Sequence, residues 1–239
     1  MRRVNRLRPK KIRNAVRRRW FEQHLERTPL SPAPGVIELG SPYGGWLIPG
    51  TLIEPSWLCY CVGVGGDISF DLALIERYAA TVRAFDPVAD YVHAAAVQAR
   101  EESRFSVHQA AIATSDGPLR VQITHDPASQ SVSAARLYES AAFVELPGRT
   151  LRSLMNELGD DHIDLLKLDI EGAEYELLPT IDLRELGVKV FATQLHHNGS
   201  VRDARDLIAR LREGGYEPVA CRPKVKLTFA RVDLLGPRS

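Results

Sequence analysis

From Leu58 onward, short apolar runs alternate with segments whose apolar residues recur at helical spacing, and this constrains the fold more than any other feature of the chain. The runs Leu58–Val64, Thr81–Phe85, Arg104–Gln109, Ile163–Asp169 and Val188–Leu195 read as main strands. Between and after them, Ile68–Tyr78, Val88–Arg100, Leu151–Leu158, Ala173–Leu178 and Val201–Glu213 read as helices. Strands separated by helices in this way predict an α/β domain, a parallel sheet covered on both faces. Leu119–His125 and Phe143–Leu146 read as shorter strands in an insertion rich in Ser and Ala, and Tyr216–Cys221 with Val225–Val232 as a closing hairpin. The chain's 239 residues are enough for a domain with a full core.

The text before Leu58 is of two other kinds. Residues 1–27 form a basic arm: Met1–Arg19 holds ten Lys or Arg and no acid, leaving the rest of the chain 21 basic against 30 acidic residues, a formal charge of −9. Ile12, Val16 and Trp20 recur at i, i+4, i+8, with Phe21 and Leu25 continuing the stripe, so the arm predicts an amphipathic helix. Its charge complements the acidic body or a second subunit of a homo-oligomer, and also suits an anionic membrane surface or nucleic acid. Residues 28–57 are a Pro- and Gly-rich lead-in with extended pieces at Val36–Leu39 and Trp46–Ile48, and Tyr43, Trp46 and Trp57 are expected to pack it onto residues 58–239, a substrate-facing lid being the alternative. No apolar stretch approaches the roughly 18 residues of a membrane span, and no apolar segment near the start reads as a secretory signal. Cys59, Cys61 and Cys221 include no C-x-x-C pair. Together these predict a cytoplasmic chain with reduced thiols.

In an open parallel sheet, ligands bind beyond the carboxyl ends of the strands. Gly63, Gly65 and Gly66 follow the first main strand, where they let the backbone turn tightly and approach a ligand, and Asp67 comes next. A dinucleotide fingerprint would need glycine at position 68, which is Ile68. Asp86 ends the second strand some twenty residues later, placed to accept hydrogen bonds from ribose hydroxyls; Gln109 closes the third strand at the same edge. Loop and acid fit a nicotinamide dinucleotide or S-adenosylmethionine. The missing glycine and the adjacent carboxylate favour the second, because a sulfonium cofactor has no pyrophosphate to hold. An NAD(P)-dependent oxidoreductase and a catalytically silent binding protein using the same cleft are the competing readings.

The fourth main strand carries the most specific segment, Asp164-Leu165-Leu166-Lys167-Leu168-Asp169-Ile170-Glu171-Gly172-Ala173-Glu174. With Gly63 to Asp71 and Phe85-Asp86-Pro87, it strongly resembles the FkbM-type S-adenosylmethionine-dependent methyltransferases over roughly Cys59 to Asn198. That resemblance implies a Rossmann-like, seven-stranded, mostly parallel sheet with helices on both faces, the class I methyltransferase fold. It also implies methylation of a hydroxyl on a sugar, glycoconjugate or natural product, a small-molecule or carbohydrate acceptor. The pattern departs at Gln194-Leu195-His196-His197, where relatives carry an acid shortly before paired histidines.

Asp169 leaves a central strand at the cleft and is assigned to both cofactor binding and catalysis, with Glu171 beside it in the cofactor-binding set. Lys167, inside an apolar run, requires a carboxylate partner. His196 and His197 end the fifth main strand, and either one could remove the acceptor's hydroxyl proton. Asp169, Glu171 and a histidine also offer the mixed donors of a divalent metal, a reading not favoured because no close ligand-spacing motif supports it.

Overall fold

The computed structural model describes residues 9–123, 132–133 and 142–236. In chain order these form α1 (Pro9–Leu25), β1 (Val36–Leu39), β2 (Trp46–Pro49), β3 (Leu58–Val62), α2 (Ser69–Tyr78), β4 (Thr81–Asp86), α3 (Ala89–Gln98) and β5 (Phe105–Gln109). There follow β6 (Ala111–Ile112), β7 (Gly117–Ile123), β8 (Val132–Ser133), β9 (Ala142–Arg149), α4 (Leu151–Leu158), β10 (Leu165–Leu168) and α5 (Glu174–Leu177). The chain closes with β11 (Val190–Gln194), α6 (Val201–Glu213), β12 (Tyr216–Arg222) and β13 (Lys226–Arg231). Each element read from the sequence is present, with ends moved by a few residues. The first eight residues of the arm and residues 124–125 of the strand read at Leu119–His125 lie outside the described set.

Seven strands form the main sheet in the order β12-β13-β11-β10-β3-β4-β5. The run from β11 to β5 is parallel and β13 joins it antiparallel, giving the mostly parallel Rossmann-like sheet that the resemblance implied. Successive side chains of a strand face opposite sides. Accordingly Leu166 and Leu168 enter one core with Tyr60, Phe191, Phe229 and the inner face of α6, while Leu165 enters the other with Cys59, Val190, Phe70 and Leu74. Among the described residues, no helix is long and apolar enough to cross a membrane. All three cysteines are free.

The lead-in folds as an antiparallel β1–β2 hairpin on the second core, where Trp46 and Trp57 are buried as expected. It is fastened to the far end of the chain. Arg222 donates to the carbonyls of Gly45 (2.8 Å) and Pro42 (3.0 Å), and Thr228 Oγ1 donates to Leu47 O (2.6 Å). Tyr43 does not pack inward with the tryptophans; it is 72% exposed at the mouth of the cleft.

The arm's apolar stripe divides. Phe21 and Leu25 are 2% and 0% exposed in the first core, whereas Val16 and Trp20 stand 63% and 52% exposed. Phe21 and Leu25 are one helical turn apart and aligned on the body, while Trp20 lies about 100° round the helix from Phe21. Phe21→Ala and Leu25→Ala should each cost about 2–5 kcal/mol, and Val16→Ala less than about 0.5 kcal/mol. Deletion of Met1–Arg19 leaves both anchors in place and should retain one cooperative urea transition; loss of that transition would put the arm in the core.

Candidate active site

A cavity of about 620 Å³ opens at the carboxyl ends of β3, β4, β10 and β11. Its floor is the turn after β3. Gly63 adopts φ +79°, and a Cβ there would lie 1.9 Å from the carbonyl oxygen of Asp169, so this position admits only glycine. Gly65, at φ +56°, and Gly66 face open space, with no atom within 4 Å of where a Cβ would stand. Asp67 is committed to the scaffold. Its Oδ2 accepts from Ser41 Oγ at 2.5 Å and its Oδ1 from Ser69 N at 2.9 Å, tying the lead-in to the start of α2. Burial alone would raise its pKa, but these bonds hold it below the usual carboxylate value.

Asp86 is 5% exposed, and each of its oxygens already takes a backbone N–H: Oδ2 from Gly65 (2.9 Å) and Oδ1 from Val88 (2.8 Å). Burial raises its pKa against those bonds. The residue therefore shapes the strand-end turn, and its second lone pairs remain for ligand hydroxyls. Gln109 does not line the cavity; its Nε2 donates to Pro87 O at 3.1 Å, which braces the loop after Asp86. Lys167 departs from expectation in its contact: Nζ donates to Gly63 O at 2.7 Å, a backbone carbonyl, while Asp71 and Asp86 balance its charge through space.

Asp169, Glu171 and His196 converge, with ligand atoms within 4.8 Å of one another, in the mixed O and N set named for a metal. Among the described residues, one Asp169 oxygen, Oδ1, is buried without a hydrogen-bond partner. Glu171 sits at φ +51°, an uncommon conformation for a non-glycine residue. His196 has Nδ1 2.8 Å from Glu174 Oε1 and Nε2 3.6 Å from Glu171 Oε2. Burial alone would lower its pKa, but Glu174, Asp169 and Glu171 outweigh burial and raise it to about 9. His196 is thus an imidazolium at neutral pH. His197 is half-buried and its pKa is lowered, by burial first and then by His196, Arg18 and Arg17. Both rings line the cavity.

Glu174 was invisible as a site residue because its partner is 22 positions away; the available signal was a carboxylate on the apolar face leading to Leu177 and Leu178. Tyr43 lines the cavity, as the substrate-facing alternative for the lead-in aromatics would have it; Arg18 and Glu22 of α1, Lys224 and Lys226 also line it and were not anticipated.

Residues 59–218 match the methyltransferase FkbM domain. The chain belongs to the FkbM methyltransferase family. It is an S-adenosylmethionine-dependent methyltransferase, and the family match sets aside the oxidoreductase reading. No curated protein matches it. Among solved structures it is similar to the Methanococcus jannaschii fibrillarin pre-rRNA processing protein, at 10% identity over 75% of this chain and 68% of that one, with a TM-score of 0.46. It is also similar to M. capricolum TrmK in complex with S-adenosylhomocysteine (9% identity, 75% and 63% covered, TM-score 0.42). A third is a SAM-dependent methyltransferase from Aquifex aeolicus (11%, 76% and 85%, TM-score 0.40).

The His196 charge makes stability depend on pH in a defined direction. A pKa raised from 6.5 to about 9 stabilises the fold fully below pH 6.5, and that stabilisation is lost as pH rises through 9. The full effect is about 3 kcal/mol. In Glu174→Gln this FkbM methyltransferase should show a flatter decline of urea midpoint across that window; an unchanged decline would assign the titration elsewhere.

Proposed function

We propose that the cleft transfers a methyl group to a hydroxyl oxygen of a sugar, glycoconjugate or natural product. The observation that carries this reading is an imidazole, His197, lining the same cavity as the open glycine turn and Asp86, with its pKa lowered by burial. The residues fit S-adenosylmethionine. Gly65 and Gly66 leave room against bare backbone, Asp86 retains acceptor capacity for ribose hydroxyls, and Asp169 turns a buried, unpartnered oxygen toward a cationic cofactor. When bound, that cofactor supplies an electrophilic methyl on a sulfonium.

The chain's own residues do the rest. A hydroxyl is a weak nucleophile until its proton begins to leave, and His197 accepts that proton as the new O–C bond forms. His196 is the less suited of the two, since Glu174 holds its pKa up at about 9. Its position is locked by Tyr175 Oη, which donates to His196 O at 2.9 Å, and by Asn198 Nδ2, which donates to Gly172 O at 2.7 Å. Asp169 orients the acceptor beside it, and orientation supplies most of the rate.

Calorimetry with S-adenosylhomocysteine tests the donor half. Asp86→Ala should weaken binding by about 1–3 kcal/mol, and unchanged affinity in a folded variant would remove Asp86 from the site. Radiolabelled methyl transfer to hydroxylated acceptors tests the chemistry. His197→Ala should lower turnover about 10²–10⁴-fold with cofactor affinity nearly intact. Near-normal turnover would leave catalysis to positioning alone, and binding with no transfer to any acceptor would favour a silent binding protein.

A further inference from the structure

On the wall formed by the start of β13, Lys226 is 7% exposed and lines the cavity. An ammonium has three donors to satisfy. Among the described residues, Lys226 Nζ has one hydrogen-bond acceptor, the carbonyl of Tyr43 at 3.3 Å, and it stands 4.7 Å from the centroid of the Trp46 ring. The neighbouring charges are mostly of its own sign. Burial above all, and then Lys167, Arg222 and Lys224, lower its pKa to about 8, against Asp169 as the opposing carboxylate. Arg222 is neutralised by its ion pair with Glu38. Among the described residues Lys224 has no such ion pair; its Nζ lies 5.5 Å from the Tyr43 ring centroid, so the two ammonium groups flank the same tyrosine.

A buried, under-coordinated cation at a cavity wall is costly unless something brought into the cavity completes it. We propose that Lys226, with Lys224 beside it, binds an anionic group of the acceptor, a carboxylate, phosphate or sulfate, so that the methylated hydroxyl belongs to an acidic molecule. The assignment of that anion to the acceptor rests on the methyl-transfer reading above; the anion site itself does not. The other source of the same chemistry is the carboxylate of the cofactor's own methionine portion, and the experiment separates the two.

Inorganic phosphate is exchanged for chloride at constant ionic strength and neutral pH, with tryptophan fluorescence read because Trp46 adjoins Lys226. Titrations are run with and without saturating S-adenosylhomocysteine, whose own binding is first measured by calorimetry. The expected result is saturable phosphate binding in both arms, about ten- to hundredfold weaker in Lys226→Met and measurably weaker in Lys224→Ala. Binding that vanishes when S-adenosylhomocysteine is present would give the site to the cofactor carboxylate and overturn the acceptor assignment. No saturable binding to the wild-type protein, or undiminished binding in Lys226→Met, would overturn the anion site. If Lys226→Met does not fold, exposed Lys224 decides, and unchanged affinity in Lys224→Ala overturns the proposal. Failure of S-adenosylhomocysteine to bind would count against the donor site alone, with the phosphate arm still read on its own.

Discussion

Everything at the cleft depends on the close approach of two parallel strand ends. β3 and β10 are neighbours in register, Val62 opposite Leu168, so the turns that follow them must share one space. Gly63 is pressed against the Asp169 carbonyl, and Lys167, from inside β10, reaches across to hold the Gly63 carbonyl. The ammonium is buried in the sheet yet solvated by backbone, with Asp71 and Asp86 supplying countercharge. Strand pairing, turn conformation and local charge are thus one constraint, which fixes where Asp86 and Asp169 stand.

Charge is graded across the cavity. Asp67, Asp86, Asp169 and Glu171 belong to the turns after β3, β4 and β10, the side suited to a sulfonium. Lys224, Lys226 and Arg18 come from the hairpin and the arm. His196 and His197 line the same cavity with pKa values shifted in opposite directions, although they are adjacent in sequence. Burial would depress both, but only His196 has a buried carboxylate behind it. Both histidines lie in the turn that follows β11, and there the two rings meet different surroundings.

The sheet was legible because its signals are local. Period, glycine position and strand-end carboxylates lie within a few residues of one another, and Ile163–Asp169 differs from the observed Leu165–Leu168 only at its frayed ends. The roles within the site were less legible because they arise from pairing across the chain. Glu174 sets the charge of His196, Ser41 consumes Asp67, and Tyr43 meets Lys226 from 183 positions away. The arm shows the same limit: its spacing announced a helix, but which of Trp20 and Phe21 turns inward was decided by the body it docks on.

The fastening of the lead-in to the last hairpin has a consequence for how the molecule comes into being. Arg222, Lys226 and Thr228 grip residues 42–47, and Lys224 N donates to Glu26 Oε1 at 3.0 Å, so one wall of the cavity joins segments far apart in the sequence. Closing so long a loop costs entropy and comes after the local strand and helix pairings that precede it. On the ribosome, the turns after β3, β4 and β10 emerge well before β13 does. A growing chain therefore acquires first the half of its cleft formed by the turns after β3, β4 and β10, and the wall that closes it only once β13 has been made.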